Sequence, residues 1–381
     1  MAALRADSAS AGGLERLADP AVDLDDLVVT ALALGLAPLL HYRLEQAGRG
    51  LPDARAQAKL SFIRQAEVAR QTARQAQLAE VLARLPSPPI VLKGAYLAEQ
   101  VYPAPGLRPM NDIDLLFRPT DLPAVAEVLH GLGYGSKEKS AEEGPGITKH
   151  TRTFKRAGAA ATPNPYLSAD GSRMIEPHRS LEESWFGLRC DLTPGMWERS
   201  LATTLAGHPA RVLCPADALL HLCVHLTYHL IQRSPSFVQL ADLGVFAAQV
   251  TVDWDDFVAR AHALRASGYA YAAARLAVRA LAAPLPGEVV QALAAGSPAG
   301  VRAVAETLTL ADVMRRTQAP PLRTLSQRLA RGVSDRTETA RWAHSAGEWA
   351  RVWGTLLDVT RTDTWKQAKR PRRATGGKPH L

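Results

Sequence analysis

A long stretch of sequence without helix breakers determines how the first part of this chain folds. From Asp53 to Leu85 the sequence contains neither Gly nor Pro, and Ala, Gln, Arg, Leu and Glu dominate it. These residues have high helix propensity, and the stretch stops at Pro86, whose ring cannot continue a helix. The sequence therefore predicts one long helix that ends at Pro86 and a different type of structure beyond Pro89.

Short apolar runs after this break predict a small sheet. Ile90–Leu92 and Ile113–Phe117 are typical of buried strands, and Thr151–Lys155 and Arg173–His178 predict two more strands. Proline cannot donate a hydrogen bond to a neighbouring strand. Pro177 therefore indicates that the last of these strands lies at a sheet edge or ends at its proline.

Helical patterns occupy much of the remaining sequence. They predict helices at 95–102 and 121–132 and over almost everything after Leu181. The expected fold class is α+β, with a small mixed sheet embedded between an N-terminal helical region and a larger C-terminal helical region. The expected division of the chain is a helical region at 1–86, a core with the sheet at 87–180, a helical domain at 181–365 and a basic disordered tail at 366–381.

The composition is that of an ordinary globular protein in a reducing compartment. The 381 residues are 47% hydrophobic and 22% charged, which allows a sizeable core. The longest apolar run, Leu27–Leu40, is too short to span a membrane and follows acidic residues, unlike a secretory signal. We therefore expect a cytoplasmic protein without a membrane partner. Neither a disulfide framework nor a thiolate zinc site is expected from the three widely spaced cysteines, Cys190, Cys214 and Cys223.

The positive charge of the chain is concentrated at one end. The formal net charge is +8, and the tail at 366–381 contains six Lys or Arg residues and no acidic residue. Basic tails bind nucleic acid in some proteins, but most are solvated ends. The charge alone therefore does not predict a nucleic-acid partner.

Two carboxylates lie two residues apart in a predicted strand. Because alternate residues of a strand face the same side, Asp112 and Asp114 share one surface and Ile113 faces the other. Such a pair can hold two divalent ions about 3.5–4 Å apart, which clamp the attacking and leaving oxygens of a phosphoryl displacement. Carboxylate oxygens suit Mg²⁺ or Mn²⁺. Glu176 is the best third ligand, because it lies in another predicted strand with His178 on its face.

Cations near these carboxylates help to distinguish a site from an exposed acidic face. An Asp-x-Asp pair by itself also caps turns or lies on surfaces. Lys93 and Gly94 fall between a predicted strand and a helix start, where backbone N–H groups and the helix dipole favour a bound phosphate. Lys93 would neutralise triphosphate charge there. Arg108, four residues before Asp112, can grip phosphate oxygens with its guanidinium fork, although both cations are equally compatible with ordinary surface positions.

Histidines supply further candidate site residues. His221, His225 and His229 share one helix face, but the third is too remote to bind the same ion as the first, and the pattern lacks the glutamate of a His-Glu-x-x-His motif. His225 and Asp242 either shape an acceptor pocket or satisfy each other's hydrogen bonds inside a helical bundle. His178 orients an acceptor, carries a proton or makes a structural hydrogen bond.

One segment carries a family resemblance. It runs from Leu92 to Phe117, reads LKGAYLAEQVYPAPGLRPMNDIDLLF, and resembles the uncharacterised nucleotidyltransferase family of the DNA polymerase beta-like nucleotidyltransferase superfamily. The later Ile175–His178 resembles the Glu-x-His segment of that family. Three later segments resemble the helical part of that family, namely Pro215–Asp217, Leu220–Leu226 and Leu240–Asp242. The resemblance therefore covers about residues 25–290.

The resemblance implies a nucleotidyltransferase core whose metal-binding carboxylates are Asp112, Asp114 and Glu176, with Mg²⁺ or Mn²⁺ as the cofactor. The implied substrate is an NTP, from which a nucleoside monophosphate passes to an unidentified small-molecule or peptide acceptor while pyrophosphate leaves. The residues that would bind the nucleotide phosphates are Lys93, Gly94 and Arg108.

Two alternatives remain at this point. The superfamily usually carries Gly-Ser after its first strand, whereas this chain has Gly94 followed by Ala95 and so lacks one hydroxyl contact to phosphate. That difference favours a catalytically retired nucleotide-binding or protein-interaction scaffold. A weaker alternative makes the tail at 366–381 a nucleic-acid anchor.

Overall fold

The computed structural model of this chain describes residues 13–137, 153–156, 173–232, 234, 236–317 and 324–356. The basic tail predicted at 366–381 lies outside the described residues. The division of the chain at residues 86, 180 and 365 stays a prediction.

Three α-helices of ten residues or more form most of the N-terminal part of the described chain. They are α1 (Leu24–Ala33), α2 (Ala37–Gln46) and α3 (Ala54–Leu82). Asp53 caps α3, because its carboxylate accepts a hydrogen bond from the backbone N–H of Ala56 at 2.7 Å. The predicted long helix is therefore confirmed, and the proline-rich segment follows it.

Nine strands are present in the described residues, and seven of them form one mixed sheet. The strands are β1 (Ile90–Val91), β2 (Asp112–Leu116), β3 (Tyr134–Lys137), β4 (Thr153–Arg156), β5 (Arg173–His178), β6 (Glu182–Trp185), β7 (Leu188–Asp191), β8 (Leu201–Leu205) and β9 (His208–Val212). The sheet order is β3-β4-β5-β2-β1-β9-β8, and β6 and β7 form a separate hairpin. Within the sheet, β2 pairs in parallel with β5, and β1 pairs in parallel with β9.

The expectation of almost continuous helix after Leu181 is wrong, because four strands lie there. The β6–β7 and β8–β9 hairpins have two-residue loops, Phe186-Gly187 and Ala206-Gly207. All four loop residues have positive φ, at +39°, +82°, +49° and +78°, as a type I′ turn requires. Asn or Asp usually precedes Gly in such turns. Phe and Ala in that position leave only a weak hairpin signal in the sequence.

The expectation that β5 lies at a sheet edge or ends at its proline is also wrong. β5 lies between β4 and β2, and it continues past Pro177 to His178. Phe154 on β4 pairs with Ile175, and Pro177 comes after the last β5 residue that pairs with β4 in the described part of the chain. The missing N–H of Pro177 therefore costs no hydrogen bond between β5 and β4 among the described residues.

Helices fill the connections and most of the C-terminal half of the described chain. After β1, α4 (Lys93–Tyr96) continues directly into a π-helical turn at Leu97–Val101, and α5 (Leu122–Gly131) follows β2. The helices after β7 are α6 (Met196–Arg199), α7 (Pro215–Ile231), α8 (Phe237–Gln249), α9 (Trp254–Ala263), α10 (Ser267–Leu281), α11 (Gly287–Ala295), α12 (Ala299–Thr307), α13 (Leu310–Thr317), α14 (Leu325–Ala340) and α15 (Ala346–Gly354). This combination of helices and a mixed sheet confirms the α+β class.

The long helix α3 takes part in two hydrophobic clusters. Its N-terminal half contributes Ala56, Leu60 and Ile63 to the larger cluster, which the C-terminal helices share. Its last turns contribute Leu78, Val81 and Leu82 to a smaller cluster that contains Ile113 and Leu115 of β2. Between these two parts, α3 buries five polar side chains, which we call the polar row: Glu67, Arg70, Gln71, Arg74 and Gln77.

Candidate active site

Two central parallel strands bring two of the predicted carboxylates together. In the β2–β5 pair, Asp114 lies opposite Glu176. Ile113 and Ile175, one residue earlier in each strand, are 0% exposed, so they point into the core on the opposite face. Asp114 and Glu176 therefore project side by side from one face of the sheet, although they are far apart in the sequence.

His178 joins these carboxylates in a cluster of potential metal ligands. Its Nε2 lies 2.7 Å from Asp114 Oδ1, and Thr153 donates a hydrogen bond to Glu176 Oε1 at 3.2 Å. One ligand atom from each of Asp114, Glu176 and His178 lies within 4.8 Å of the other two, and all three residues are buried. Carboxylate oxygens suit Mg²⁺ and Mn²⁺, and imidazole is a ligand for transition metals. The donor set therefore fits a divalent cation.

Asp112, the other half of the predicted pair, is not one of the three clustered ligands. It precedes Asp114 by two residues on the same strand, and so it belongs to the same face. Burial raises the pKa of Asp112 to about 6; the charges of Asp114 and Glu176 add to this effect, and the charge of Lys93 opposes it. A divalent cation would reverse this effect, because it stabilises the ionised forms of crowded carboxylates.

Lys93 connects the carboxylate cluster to a second buried pair. Its Nζ lies 3.2 Å from Asp114 Oδ2 and 3.4 Å from His225 Nε2. His225 Nδ1 in turn lies 3.0 Å from Glu183 Oε1. Because an ammonium can only donate, His225 accepts at Nε2 and donates from Nδ1 to Glu183. Burial by itself lowers the pKa of Lys93, but the Asp114 and Asp112 carboxylates outweigh that effect and raise it above its ordinary value.

The backbone at Lys93 adopts an uncommon conformation. Its φ is +36°, in the left-handed region that L residues with a side chain rarely occupy. This conformation lies at the junction of β1 and α4, where the chain turns from strand to helix. The turn places Lys93 beside Asp114, and strained backbone of this kind concentrates at functional sites.

Arg108 and Gly94 are in contact, but Arg108 is held by a carboxylate. Its Nε and Nη2 donate to the two carboxylate oxygens of Asp242 at 2.9 and 2.8 Å, and Tyr102 also donates to Asp242 Oδ1 at 2.8 Å. A Cβ on Gly94 would lie 2.7 Å from Arg108 Nη1. Gly94 therefore allows the guanidinium to approach the backbone, while Asp242 fixes its direction.

The predicted histidine row is divided between different partners. His225 pairs with Glu183 and Lys93, and Asp242 pairs with Arg108, so the alternative in which His225 and Asp242 satisfy each other is wrong. The ring centroids of His221 and His225 are 6.0 Å apart, and those of His225 and His229 are 4.6 Å apart. In the described part of the chain, the clustered ligand set is the one on β2 and β5.

Sequence reasoning did not select three buried charged residues near this site. Glu183 is 3% exposed and supports His225, and Arg70 and Arg74 of the polar row are 5% and 6% exposed. A signal for the two arginines exists in the sequence. Along the buried face of α3, apolar residues are replaced by Glu67, Arg70 and Arg74 in mid-helix and return at Leu78. This pattern indicates a buried helix face that contains charged residues.

A comparison with protein-family models gives the family of the chain. The model described as "Uncharacterised nucleotidyltransferase" matches residues 20–282. The chain belongs to this family. Membership in the nucleotidyltransferase family confirms the resemblance found in the sequence and supports nucleotidyl transfer as the general activity. Comparisons with curated proteins and with solved structures return no match.

In the structure of this nucleotidyltransferase family member, Cys190, Cys214 and Cys223 are free thiols. Among the described helices, none combines the length and the apolar composition that a membrane crossing needs.

Proposed function

We propose that this protein is a divalent-metal-dependent nucleotidyltransferase that transfers a nucleoside monophosphate from an NTP to a small-molecule or peptide acceptor. The observation that carries the proposal is the buried Asp114–Glu176–His178 cluster on two parallel strands of a family member. Mg²⁺ or Mn²⁺ would neutralise phosphate charge and polarise the α-phosphoryl group. An NTP substrate agrees with the cytoplasmic location that the sequence predicts.

The proposed reaction is an in-line displacement at the α-phosphorus. An acceptor oxygen forms a bond to that phosphorus, the bond from phosphorus to the bridging oxygen breaks, and pyrophosphate leaves with the electron pair. Glu176 takes the acceptor proton. Asp112, Asp114 and Glu176 would hold the metal ions, and His178 orients Asp114 through their 2.7 Å hydrogen bond.

The proposed substrate contacts come from the residues around this cluster. Lys93 lies within 3.2 Å of Asp114 and would exchange part of that contact for a phosphate oxygen. Arg108, held by Asp242 against Gly94, presents Nη1 as its remaining nitrogen for the triphosphate. His225 and Asp242, which contact Lys93 and Arg108 respectively, are the residues proposed for the acceptor site. Positioning and charge neutralisation would supply most of the rate enhancement.

Isosteric substitution of the carboxylates tests this proposal. We expect Asp112→Asn, Asp114→Asn and Glu176→Gln to fold but to lose at least about a hundredfold in turnover, because charge stabilisation at the metal is lost. Release of pyrophosphate from each NTP is measured with Mg²⁺ or Mn²⁺ across a panel of alcohol, sugar and peptide acceptors. Asp255→Asn, an exposed carboxylate in the first turn of α9, is the matched control. Full turnover in the three site variants would refute the assignment.

A catalytically retired nucleotide-binding scaffold is the second candidate function. It is favoured by the Gly94-Ala95 sequence and by the carboxylate partners that already hold Lys93 and Arg108. Calorimetric titration with ATP, GTP, CTP and UTP, with and without Mg²⁺, separates the two functions. Metal-dependent nucleotide binding without pyrophosphate release across the whole panel would favour the scaffold.

A further inference from the structure

The polar row of α3 is a buried, positively charged face of the helix. None of its residues has a role in the proposed reaction. It contains one carboxylate, Glu67, and two guanidinium groups, Arg70 and Arg74. Arg70 Nη1 lies 2.6 Å from Glu67 Oε1. The row as a whole is therefore positive, in a region from which water is largely excluded.

Gln71 connects the polar row to the chain segment that leads to the carboxylate site. Its side-chain amide donates to the carbonyl of Ala98 at 2.9 Å, and its Oε1 accepts from the backbone N–H of Gly106. Ala98 and Gly106 belong to the segment between Lys93 and Arg108. This segment leads into Asp112, the first residue of β2. Burial lowers the pKa of the Arg74 guanidinium, and the negative charge of Asp112 acts in the opposite direction. The row therefore meets the site at the end of the sheet where β2 begins.

Gln77 is the member of the row that points to a ligand. It is 4% exposed, and its Oε1 lies 3.4 Å from Arg74 Nη1. Its Nε2 is buried and has no hydrogen-bond partner among the described residues. A buried donor without a partner lowers the stability of the fold, and a bound ligand can supply the missing acceptor. A donor beside the Arg74 guanidinium is suited to an anion.

We propose that Arg70, Arg74 and Gln77 form a polyphosphate subsite that binds the β- and γ-phosphates of the nucleotide. Guanidinium forks bind phosphate oxygens in a bidentate manner, and an amide N–H adds a directional contact. The subsite supplies contacts that the missing Gly-Ser hydroxyl would otherwise make. The identity of the nucleotide as the ligand rests on the proposed function, whereas the anion-binding chemistry of the row does not.

Titration of the full chain with inorganic triphosphate in EDTA tests the subsite without metal and without catalysis. Arg74→Gln is expected to weaken triphosphate binding by about tenfold or more, because charge-assisted hydrogen bonds are lost. Arg55→Gln, an exposed arginine in the first turn of the same helix, removes the same charge and should bind as the unaltered protein does. Unaltered binding by Arg74→Gln, equal loss in Arg55→Gln, or no triphosphate binding by the unaltered protein would overturn the proposal.

Two further variants keep the test decisive if Arg74→Gln does not fold. Gln77→Leu removes the buried donor, so we expect weaker triphosphate binding together with an equal or higher melting temperature. Arg74→Lys keeps the charge without the fork and should show a partial loss. Triphosphate binding at the unaltered level in both variants would contradict the subsite. If Arg74-dependent binding holds while no NTP yields pyrophosphate, the subsite stands and the proposed transferase activity fails.

Discussion

At the scale of single residues, Lys93 combines two properties that rarely occur together. Its ammonium group is buried between Asp114 and His225, and its backbone has a φ of +36°. A glycine would adopt this backbone conformation without steric cost. The chain therefore accepts local strain at the position where the cation faces the carboxylate cluster.

Replacing Lys93 with Gly or with Ala separates the backbone conformation from the charge. Both variants lose the ion pair with Asp114, but only Gly accepts a positive φ without strain. We expect Lys93→Gly to be more stable than Lys93→Ala by about 1 kcal/mol. Urea unfolding followed by circular dichroism measures the difference. Equal unfolding free energies would show that the left-handed conformation is not maintained, and both variants should lose nucleotidyl transfer.

The residues of the site differ in how far the sequence reveals them. Strand alternation predicts that Asp112 and Asp114 share a face, and the register of β2 and β5 places Glu176 opposite Asp114. Glu183 and Arg74 were not found, because their roles depend on tertiary contacts. Arg74 lies in an arginine-rich helix, and although the interrupted apolar spacing marks its face as buried, the local pattern alone cannot tell which part of the fold that face meets.

At the scale of elements, α3 is the part of the fold that the sequence predicted best, and it buries the five polar side chains of the polar row. Its length and its start follow from local chemistry, namely helix-forming residues and the Asp53 cap. Its position follows from packing, since its two ends enter different hydrophobic clusters. The polar row is placed between these clusters as a result.

Removal of the cap should weaken α3 without a change in chemistry. Asp53→Ala leaves the N–H of Ala56 without its 2.7 Å partner, and we expect a loss of about 1 kcal/mol in unfolding free energy. Thermal and urea unfolding measure the loss, and Asp53→Asn, which retains an acceptor oxygen, is the control. Turnover per folded molecule should not change. Unaltered stability in Asp53→Ala would mean that packing alone fixes the start of the helix.

The strands show where prediction from local patterns ends. β2 and β5 carry β-branched residues and a recognisable alternation, so their sequences predicted them. The β6–β7 and β8–β9 hairpins turn at Phe186-Gly187 and Ala206-Gly207, where Phe and Ala stand in place of the Asn or Asp typical of such turns. The apolar residues of these short strands have a spacing that also fits a helix. Only the fold therefore distinguishes strand from helix in these segments.

At the scale of the whole molecule, the sheet joins distant parts of the chain. β8 and β9 come from beyond residue 180, and β9 pairs with β1. One face of the sheet packs against the last turns of α3, which precede residue 86. The sheet therefore depends on segments on both sides of the predicted core at 87–180.

A fragment of residues 87–180 should not fold by itself. It lacks the β9 neighbour of β1 and the α3 side chains Leu78, Val81 and Leu82 that cover Ile113. We expect a fragment without cooperative thermal unfolding and with rapid proteolysis, compared with the full chain under the same conditions. Cooperative unfolding of the fragment would instead support the predicted division of the chain.

The parallel pairing of β1 with β9 also determines when the sheet can be completed during synthesis of the chain. Ile90 lies opposite Arg211, so β1 gains its second neighbour only after nearly all of the other strands have been synthesised. Pairings between such distant segments form slowly, because a long loop must close before any contact compensates for the lost chain entropy. A chain released before β9 would contain Asp112, Asp114, Glu176 and His178, yet it would lack the complete sheet that aligns them.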